Sequence, residues 1–371
     1  MSPDAPSGAG YLARLTDLAL ASGLERFGAA PAEPLARARR IMHGRVAAGL
    51  VDGMRFTYNN IDRSTDPASQ VPGARSVLVG ARSYDVQPND APVDGPSARV
   101  ARYAWLDHYA ELKRSLTVVA GRLRSDGHRA VVFADDNSVV DREVAWLAGI
   151  GWYGKNANIL LPGAGSFVVL GCIVTTADVP AAQPVDDGCG TCDRCIPACP
   201  TGAISAPGVI DASRCLSWML QKPGVFPREY RTALGDRIYG CDDCQTACPF
   251  TRRRAAAETT FPTESAVDVL SLLAADDAEV MRRCDRWWVH GRDATWVRRN
   301  LLIVLGNTAD PSDPRVVAAL ADALAHPRAE VRAHAVWAAA RLGHRELLPA
   351  ADPDGMVRDE LEHLPPLRGH T

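Results

Sequence analysis

The stretch from Cys189 to Pro249 constrains this chain more than any other. It opens Cys189-Gly-Thr-Cys192-Asp-Arg-Cys195-Ile-Pro-Ala-Cys199-Pro200, a C-x2-C-x2-C-x3-C-P run. It closes Cys241-Asp-Asp-Cys244-Gln-Thr-Ala-Cys248-Pro249, with Cys215 alone between the two runs. This is the thiolate rhythm of a bacterial two-cluster ferredoxin, where the fourth cysteine of each run ligates the other cluster. A structural zinc site needs only four ligands in two C-x2-C pairs, and the tighter run here exceeds it. A disulfide framework belongs to small secreted domains, which a chain of 371 residues is not. The spacing predicts two [4Fe-4S] clusters, one on Cys189, Cys192, Cys195 and Cys248, the other on Cys199, Cys215, Cys241 and Cys244.

Thiols in that pattern must stay reduced, which predicts a cytoplasmic setting. Met1-Ser-Pro-Asp-Ala-Pro6 lacks a basic segment leading into an apolar run, so no signal peptide is expected. No uncharged apolar run approaches the roughly 18 residues of a membrane span. The length allows two or three domains. A net charge of −3 argues against a general nucleic-acid binder, so any such role must rest on a local basic face. Cys172 and Cys284 fall outside the cluster spacing, and Cys172, within Val169-Leu-Gly-Cys-Ile-Val174, is expected to pack in a strand as a small hydrophobe.

Before the cysteines, strand and helix patterns alternate. Tyr11–Gly23, Pro34–Gly49 and Asp107–Gly127 read as helices, the last with Leu112, Leu116, Val119 and Leu123 in one stripe. Ser76–Tyr84, His128–Ala134 and Ser166–Thr175 read as strands, and Ser138 is expected to cap a further helix running to Gly149. This predicts an α/β (α+β) domain over 10–180. Val179–Gly188 reads as a linker into a ferredoxin-like module over 181–255. Beyond it, Val297–Gly306 and Val331–Ala340 are similar segments 34 residues apart, which predicts an all-α, HEAT-like region over 256–350. Residues 1–9 and 360–371 are expected to be flexible.

Several motifs admit both a structural and a functional reading. Gly149-Ile-Gly-Trp-Tyr-Gly-Lys155-Asn156 satisfies G-x-G-x-x-G, but it follows a helix and so lacks the strand a nucleotide fold requires. It is either a helix-ending turn or a backbone-lined wall with Lys155 supplying charge. Asp135 and Asp136 sit between a strand and a helix, where acidic residues are commonly caps or dipole partners. Arg102-Tyr103-Ala-Trp105 leads into a helix and serves either packing or a site. Basic residues accumulate from Lys222 to Arg299, among them Arg228, Arg231, Arg237, Arg282, Arg283, Arg286 and Arg298, with Trp287, Trp288 and Trp296 interleaved. Solvated helix faces explain part of that pattern, and an RNA-binding surface explains it too.

Together these motifs resemble the epoxyqueuosine reductase family. The similarity runs over roughly residues 12–345 and includes Pro72–Gly80, Gly149–Asn156, the Gly165-Ser166 strand, Cys189–Ile204, Asp211–Ser217 and Tyr239–Gln245. The resemblance implies a cytosolic, monomeric iron–sulfur enzyme that uses cobalamin and an external electron donor. It would reduce the epoxide of epoxyqueuosine at the wobble position of tRNA. Asp135 matches the family's proton-donating aspartate, with Asp136 as its neighbour. Arg102, Tyr103, Arg142, Lys155, Asn156, Ser217 and Asp242, together with Asp135, would contact the cobalamin. The family's R-Y-A-x-G-x-D-Y-H is one residue short here, S-Y-L-T-I-E becomes Ser217-Trp218-Met-Leu-Gln-Lys222, and C-P-W-N becomes Cys248-Pro-Phe250-Thr251. A corrinoid reductase acting on another substrate, such as a reductive dehalogenase relative, and a ferredoxin-type electron carrier are the rival readings. The carrier leaves the folded domain ahead of the clusters unexplained.

Overall fold

The computed structural model describes residues 5–369, which form two compact units. Unit one comprises the chain up to Gln87, Leu106–Ser213 and Asp243–Glu258; unit two comprises Pro88–Trp105, Arg214–Asp242 and Thr259 onward. This division departs from the blocks 10–180, 181–255 and 256–350. The short strand Ser97–Val100 leaves the first block to pair with Arg237–Tyr239 from the second and Ala266–Asp268 from the third.

Unit one carries α1 (Gly8–Ala21), β1 (Arg26–Pro31), α2 (Ala36–Ala47), β2 (Ser76–Ser83), α3 (His108–Ser125), β3 (Ala130–Ala134), α4 (Asp141–Leu147), β4 (Trp152–Tyr153), β5 (Ile159–Leu160) and β6 (Val168–Thr175). Its main sheet runs β1-β2-β6-β3 and is antiparallel throughout, so the architecture is α+β. The central strands β2 and β6 read as unbroken apolar runs because both faces of the sheet are covered. Val77, Val79, Cys172 and Val174 share one core with Val144 and Ala145 of α4 and with Ala148, which caps its end. On the other face α3 and the α1–β1 connection lie so close that a Cβ on Gly80 would come within 3.0 Å of Leu116 and 2.6 Å of Leu24. The Leu112, Leu116, Val119 and Leu123 stripe is fully buried, about 1.5–3 kcal/mol for each side chain. Asp107 caps α3 by accepting from the Ala110 amide.

Three expectations change. The helix expected from Ser138 begins only at Asp141, because the Asp136 carboxylate accepts from the Ser138 amide at 2.7 Å and closes a local turn instead. The linker Val179–Gly188 is laid against the sheet, with the Ala182 amide on the Ala29 carbonyl. The chain near its start is fixed as well: the Pro6 carbonyl meets His128 Nε2 at 2.8 Å, and the Gly8 amide donates to the Asp178 carbonyl. Residues 1–4 lie outside the described residues.

In unit two, Ser97–Val100 is the central strand, parallel to Arg237–Tyr239 and antiparallel to Ala266–Asp268. Of the helices of this unit, α5 (Arg228–Leu234), α6 (Thr295–Thr308), α7 (Pro314–Leu324), α8 (Ala329–Leu342) and α9 (Gly355–Glu362), α6 packs against that strand. The similar segments Val297–Gly306 and Val331–Ala340 fall on α6 and α8, which pack directly together. The segment after α9 is anchored, not flexible. Pro365 is buried, and the Arg368 guanidinium donates to the Asn307 and Ala309 carbonyls at the end of α6. His370 and Thr371 lie outside the described residues.

Most of the basic side chains read as an RNA face are committed internally. Arg299 is fully buried and donates to the Met219, Lys222 and Gly224 carbonyls. Arg231 pairs in two places with the buried Glu360 carboxylate, at 2.7 and 2.9 Å. Arg298 donates to the Leu273 and Ala275 carbonyls. Arg282 and Arg283 both bind Glu279, and Arg286 binds Glu264. Arg231, Arg298 and Arg299 satisfy carbonyl and carboxylate oxygens that burial would otherwise leave without donors, while Arg282, Arg283 and Arg286 pair at the surface.

Candidate functional site

In unit one a run of tight turns presents the cysteines. The Cys192 amide donates to the Cys189 carbonyl, Ile196 to Asp193 and Cys199 to Ile196, while Asp187 accepts from the Cys189 amide. Cys248 reaches the same place ahead of Pro249, the first residue of a short helix. Cys189, Cys192, Cys195 and Cys248 thus line one pocket together with Lys155, Asn156 and Phe250, and none of the four is in a disulfide. Burial pushes the Cys195 thiol above its ordinary range, and the Cys189, Cys248 and Cys192 sulfurs push it further. Four cysteine sulfurs lining a common space are the donor set an iron–sulfur cluster requires, since the cluster's positive iron replaces the thiol protons. The fit is with the first ligand set predicted from the spacing. Of the second set, Cys199 and Cys244 belong to unit one, and Cys215 and Cys241 to unit two.

The glycine-rich segment builds the wall of this pocket. Gly149 adopts φ +67°, and a Cβ there would come within 2.6 Å of the Gln183 carbonyl oxygen. The chain then forms the β4–β5 hairpin, which is why no nucleotide-binding helix follows. Lys155 Nζ donates to the Gly190 carbonyl at 2.7 Å, inside the first cysteine turn. Asn156 Nδ2 donates to the Cys244 carbonyl at 3.4 Å, and its Oδ1 accepts from the Asn158 amide. Both side chains therefore brace the cysteine-bearing backbone.

Asp135 lies elsewhere in unit one, just past the end of β3. It is exposed and holds a positive φ of 53°, a conformation that non-glycine residues rarely adopt. Asp136 is occupied by the Ser138 amide. Asn137 Nδ2 ties the same loop to the Phe56 carbonyl at 3.0 Å. Arg142 is exposed on α4. Burial raises the Asp141 carboxyl, and the charge on Asp135 raises it further. One cluster beside this loop carries no obvious sequence signal. Glu143 is buried, accepts from Tyr153 Oη at 3.1 Å and pairs with Arg37. The Arg37 guanidinium also lies 4.3 Å over the Trp146 ring and 4.9 Å over the Tyr153 ring. Arg37 and Glu143 are too far apart in sequence for any local pattern to join them.

Three other candidates meet in unit two. The Arg102 amide donates to Asp242 Oδ2 at 2.6 Å, and Tyr103 packs against Tyr239 with ring centroids 5.9 Å apart. Ser217 sits on the short helix Leu216–Met219, just after Cys215.

Residues 64–136 match the family model described as epoxyqueuosine reductase QueG, DUF1730, and residues 188–251 match the 4Fe-4S double cluster binding domain. The epoxyqueuosine reductase of Xanthomonas campestris is 35% identical over 345 residues, 89% of this chain and 96% of that protein. That of Bacillus subtilis is 30% identical over 89% of this chain and 87% of its own length. A crystal structure of epoxyqueuosine reductase with an epoxyqueuosine-modified tRNA-Tyr stem loop superposes with a TM-score of 0.86 at 27% identity, covering 95% of this chain and 97% of that one. A structure of the Bacillus subtilis enzyme gives a TM-score of 0.85 at 26% identity, covering 96% and 99%. With likeness of this extent over both units, the chain belongs to the epoxyqueuosine reductase family of oxidoreductases.

Proposed function

We propose that this protein reduces the epoxide of epoxyqueuosine at the tRNA wobble position, leaving the alkene of queuosine and water. The observation that carries the reading is the length of the likeness: it spans the thiol pocket and the Asp135 loop alike, in relatives named for this reduction. One such relative is solved with an epoxyqueuosine-modified stem loop. Another is described with a catalytic aspartate loop swung out of its active site, which supports a catalytic role for the Asp135 loop here.

The reaction consumes two electrons and two protons. Side chains do not supply such electrons, so bound cofactors must. In this reading one [4Fe-4S] cluster is held by Cys189, Cys192, Cys195 and Cys248 and a second by Cys199, Cys215, Cys241 and Cys244, fed by an external donor. The open edge beyond β3, where Asp135 is exposed on the loop and Arg142 on the first turn of α4, suits cobalamin, which when bound supplies electrons to the epoxide carbon. Covered by the bound cofactor and substrate, the Asp135 carboxylate would take up a proton from solvent and give it to the epoxide oxygen as the ring opens. Arg102, Tyr103, Lys155, Asn156, Ser217 and Asp242 complete the proposed cofactor surroundings, Lys155 and Asn156 by fixing the cysteine loops. The helices α6 to α9 are read as a HEAT-like unit, and the protein as a cytoplasmic monomer. Among the described residues no helix is long and apolar enough to cross a membrane.

Nucleoside analysis of tRNA from a deletion strain tests the substrate. Epoxyqueuosine is expected to accumulate and to disappear on complementation. Normal queuosine in the deletion strain would overturn the proposal.

A further inference from the structure

Unit two carries an exposed aromatic surface centred on Trp288. The Trp218 and Trp288 rings lie 6.4 Å apart at 28°, and His290 stands edge-on to Trp288 at 6.0 Å and 66°. Trp288 is 45% exposed, and a large flat ring left open to water marks a contact surface more often than an isolated aliphatic side chain does. Its position is fixed from behind. Trp287 is buried and stacks on Tyr239 at 4.8 Å and 6°, and the Trp288 amide donates to Tyr239 Oη at 2.8 Å. The Trp288 ring is thus presented ready-made, so little ordering is needed when a ligand arrives.

A second observation points to what that ligand carries. Trp287 and Trp296 are 4% and 8% exposed and line one pocket with Trp288, Gln221 and Asn300. The indole N–H groups of Trp287 and Trp296 have no acceptor among the described residues. Buried donors left unmade are costly, and natural structures rarely keep two in one place without a partner. A flat ring in the open beside two waiting donors fits a planar group that bears acceptors. An apolar protein side chain would cover Trp288 and still leave both donors empty.

We infer that Trp218 and Trp288 form a stacking platform for an unpaired base of the substrate RNA, with acceptors of that nucleotide entering the pocket that Trp287 and Trp296 line. The inference rests on the proposed function, because an anticodon loop is where such a base is available without opening a duplex. Stacking on an aromatic ring tolerates any base, since each has a π-face.

The test uses the cofactor-loaded enzyme and a stem loop carrying epoxyqueuosine, together with versions made abasic at each other unpaired position in turn. Trp288→Ala is expected to weaken binding about 5- to 150-fold, the loss of one base–aromatic stack, while Trp288→Phe keeps most of the affinity. One abasic loop should reproduce that loss with wild type and add nothing to Trp288→Ala. Unchanged cluster absorbance and circular dichroism show that the variants are folded. If wild type reduces the RNA while Trp218→Ala and Trp288→Ala bind every loop as wild type does, the platform is wrong and the function stands. If wild type neither binds nor reduces the RNA, both are wrong.

Discussion

Asp135 keeps a left-handed backbone without being glycine, a conformation that costs on the order of 1–3 kcal/mol and persists only where neighbours hold it. Here the hold comes from the Asp136–Ser138 turn and the Asn137 contact to Phe56. The same turn separates the roles of two adjacent carboxylates, since Asp136 is engaged by a backbone amide and Asp135 is exposed. Replacing Asp135 with Asn is expected to lower kcat about a hundred- to ten-thousand-fold, the usual worth of a positioned proton donor. The cluster absorbance should be unchanged, and single-turnover assays on the reduced enzyme measure the loss. Asp136→Asn, by contrast, should act only through the turn; a larger loss in that variant than in Asp135→Asn would reverse the assignment. The 4Fe-4S double cluster domain is legible from cysteine spacing alone because ligation chemistry dictates spacing. The bracing by Lys155 and the Arg37–Glu143–Tyr153 group are not, because nothing local in the sequence states which carbonyl or carboxylate a long side chain will meet.

Among the elements, α3 is readable because a stripe of four apolar residues and an Asp cap both point to one helix. β1 escapes such a reading: Arg-Phe-Gly-Ala-Ala-Pro has little β propensity, and it becomes a strand through its six-residue register with β2 at a sheet edge, where a terminal proline is tolerated. The pattern of α6 identifies a helix correctly and a basic face wrongly, since its arginines serve the interior. The packing of α8 shows how such an interior responds to acid. His334 is fully buried; its Nδ1–H donates to the Glu330 carbonyl, and its Nε2 accepts from the Phe226 amide at 3.1 Å. Only a neutral ring can do both. Burial, reinforced by the Arg231 charge, holds its pKa well below the ordinary value. An unfolded chain therefore binds a proton that the native protein refuses. The stabilisation is complete above about pH 6.5 and is lost as pH falls from there toward the depressed native value. Between about pH 7.5 and about pH 5.5, the Tm of wild type should fall more than that of His334→Gln, measured by circular dichroism. Equal slopes for the two proteins would contradict this account.

On the scale of the whole molecule, charge counted along the chain overstates charge available to a ligand. With Arg231, Arg298 and Arg299 inside unit two and Arg282, Arg283 and Arg286 paired on its surface, six of the 13 basic residues from Lys222 to Arg299 are already engaged. Log affinity for a stem loop should thus fall less steeply with log salt than the full count would give. The slope is about −0.7 for each phosphate neutralised on single-stranded RNA, so a filter-binding series gives the count directly. A slope that demanded all of those side chains would mean that the internal pairs open on binding. The fold-level outline is legible because runs of strands, cysteines and helices differ in composition; the two-unit division is not, because one four-residue strand rearranges it. That strand has a consequence for biosynthesis. Ser97–Val100 is made early, yet its neighbours on both sides are Arg237–Tyr239 and Ala266–Asp268. At about 5–20 residues per second on the ribosome, the strand waits roughly seven to thirty seconds with both edges open. For that interval the nascent chain displays an unfinished β-template, and any chaperone that attends its synthesis has its work to do there, before the last helices of unit two exist.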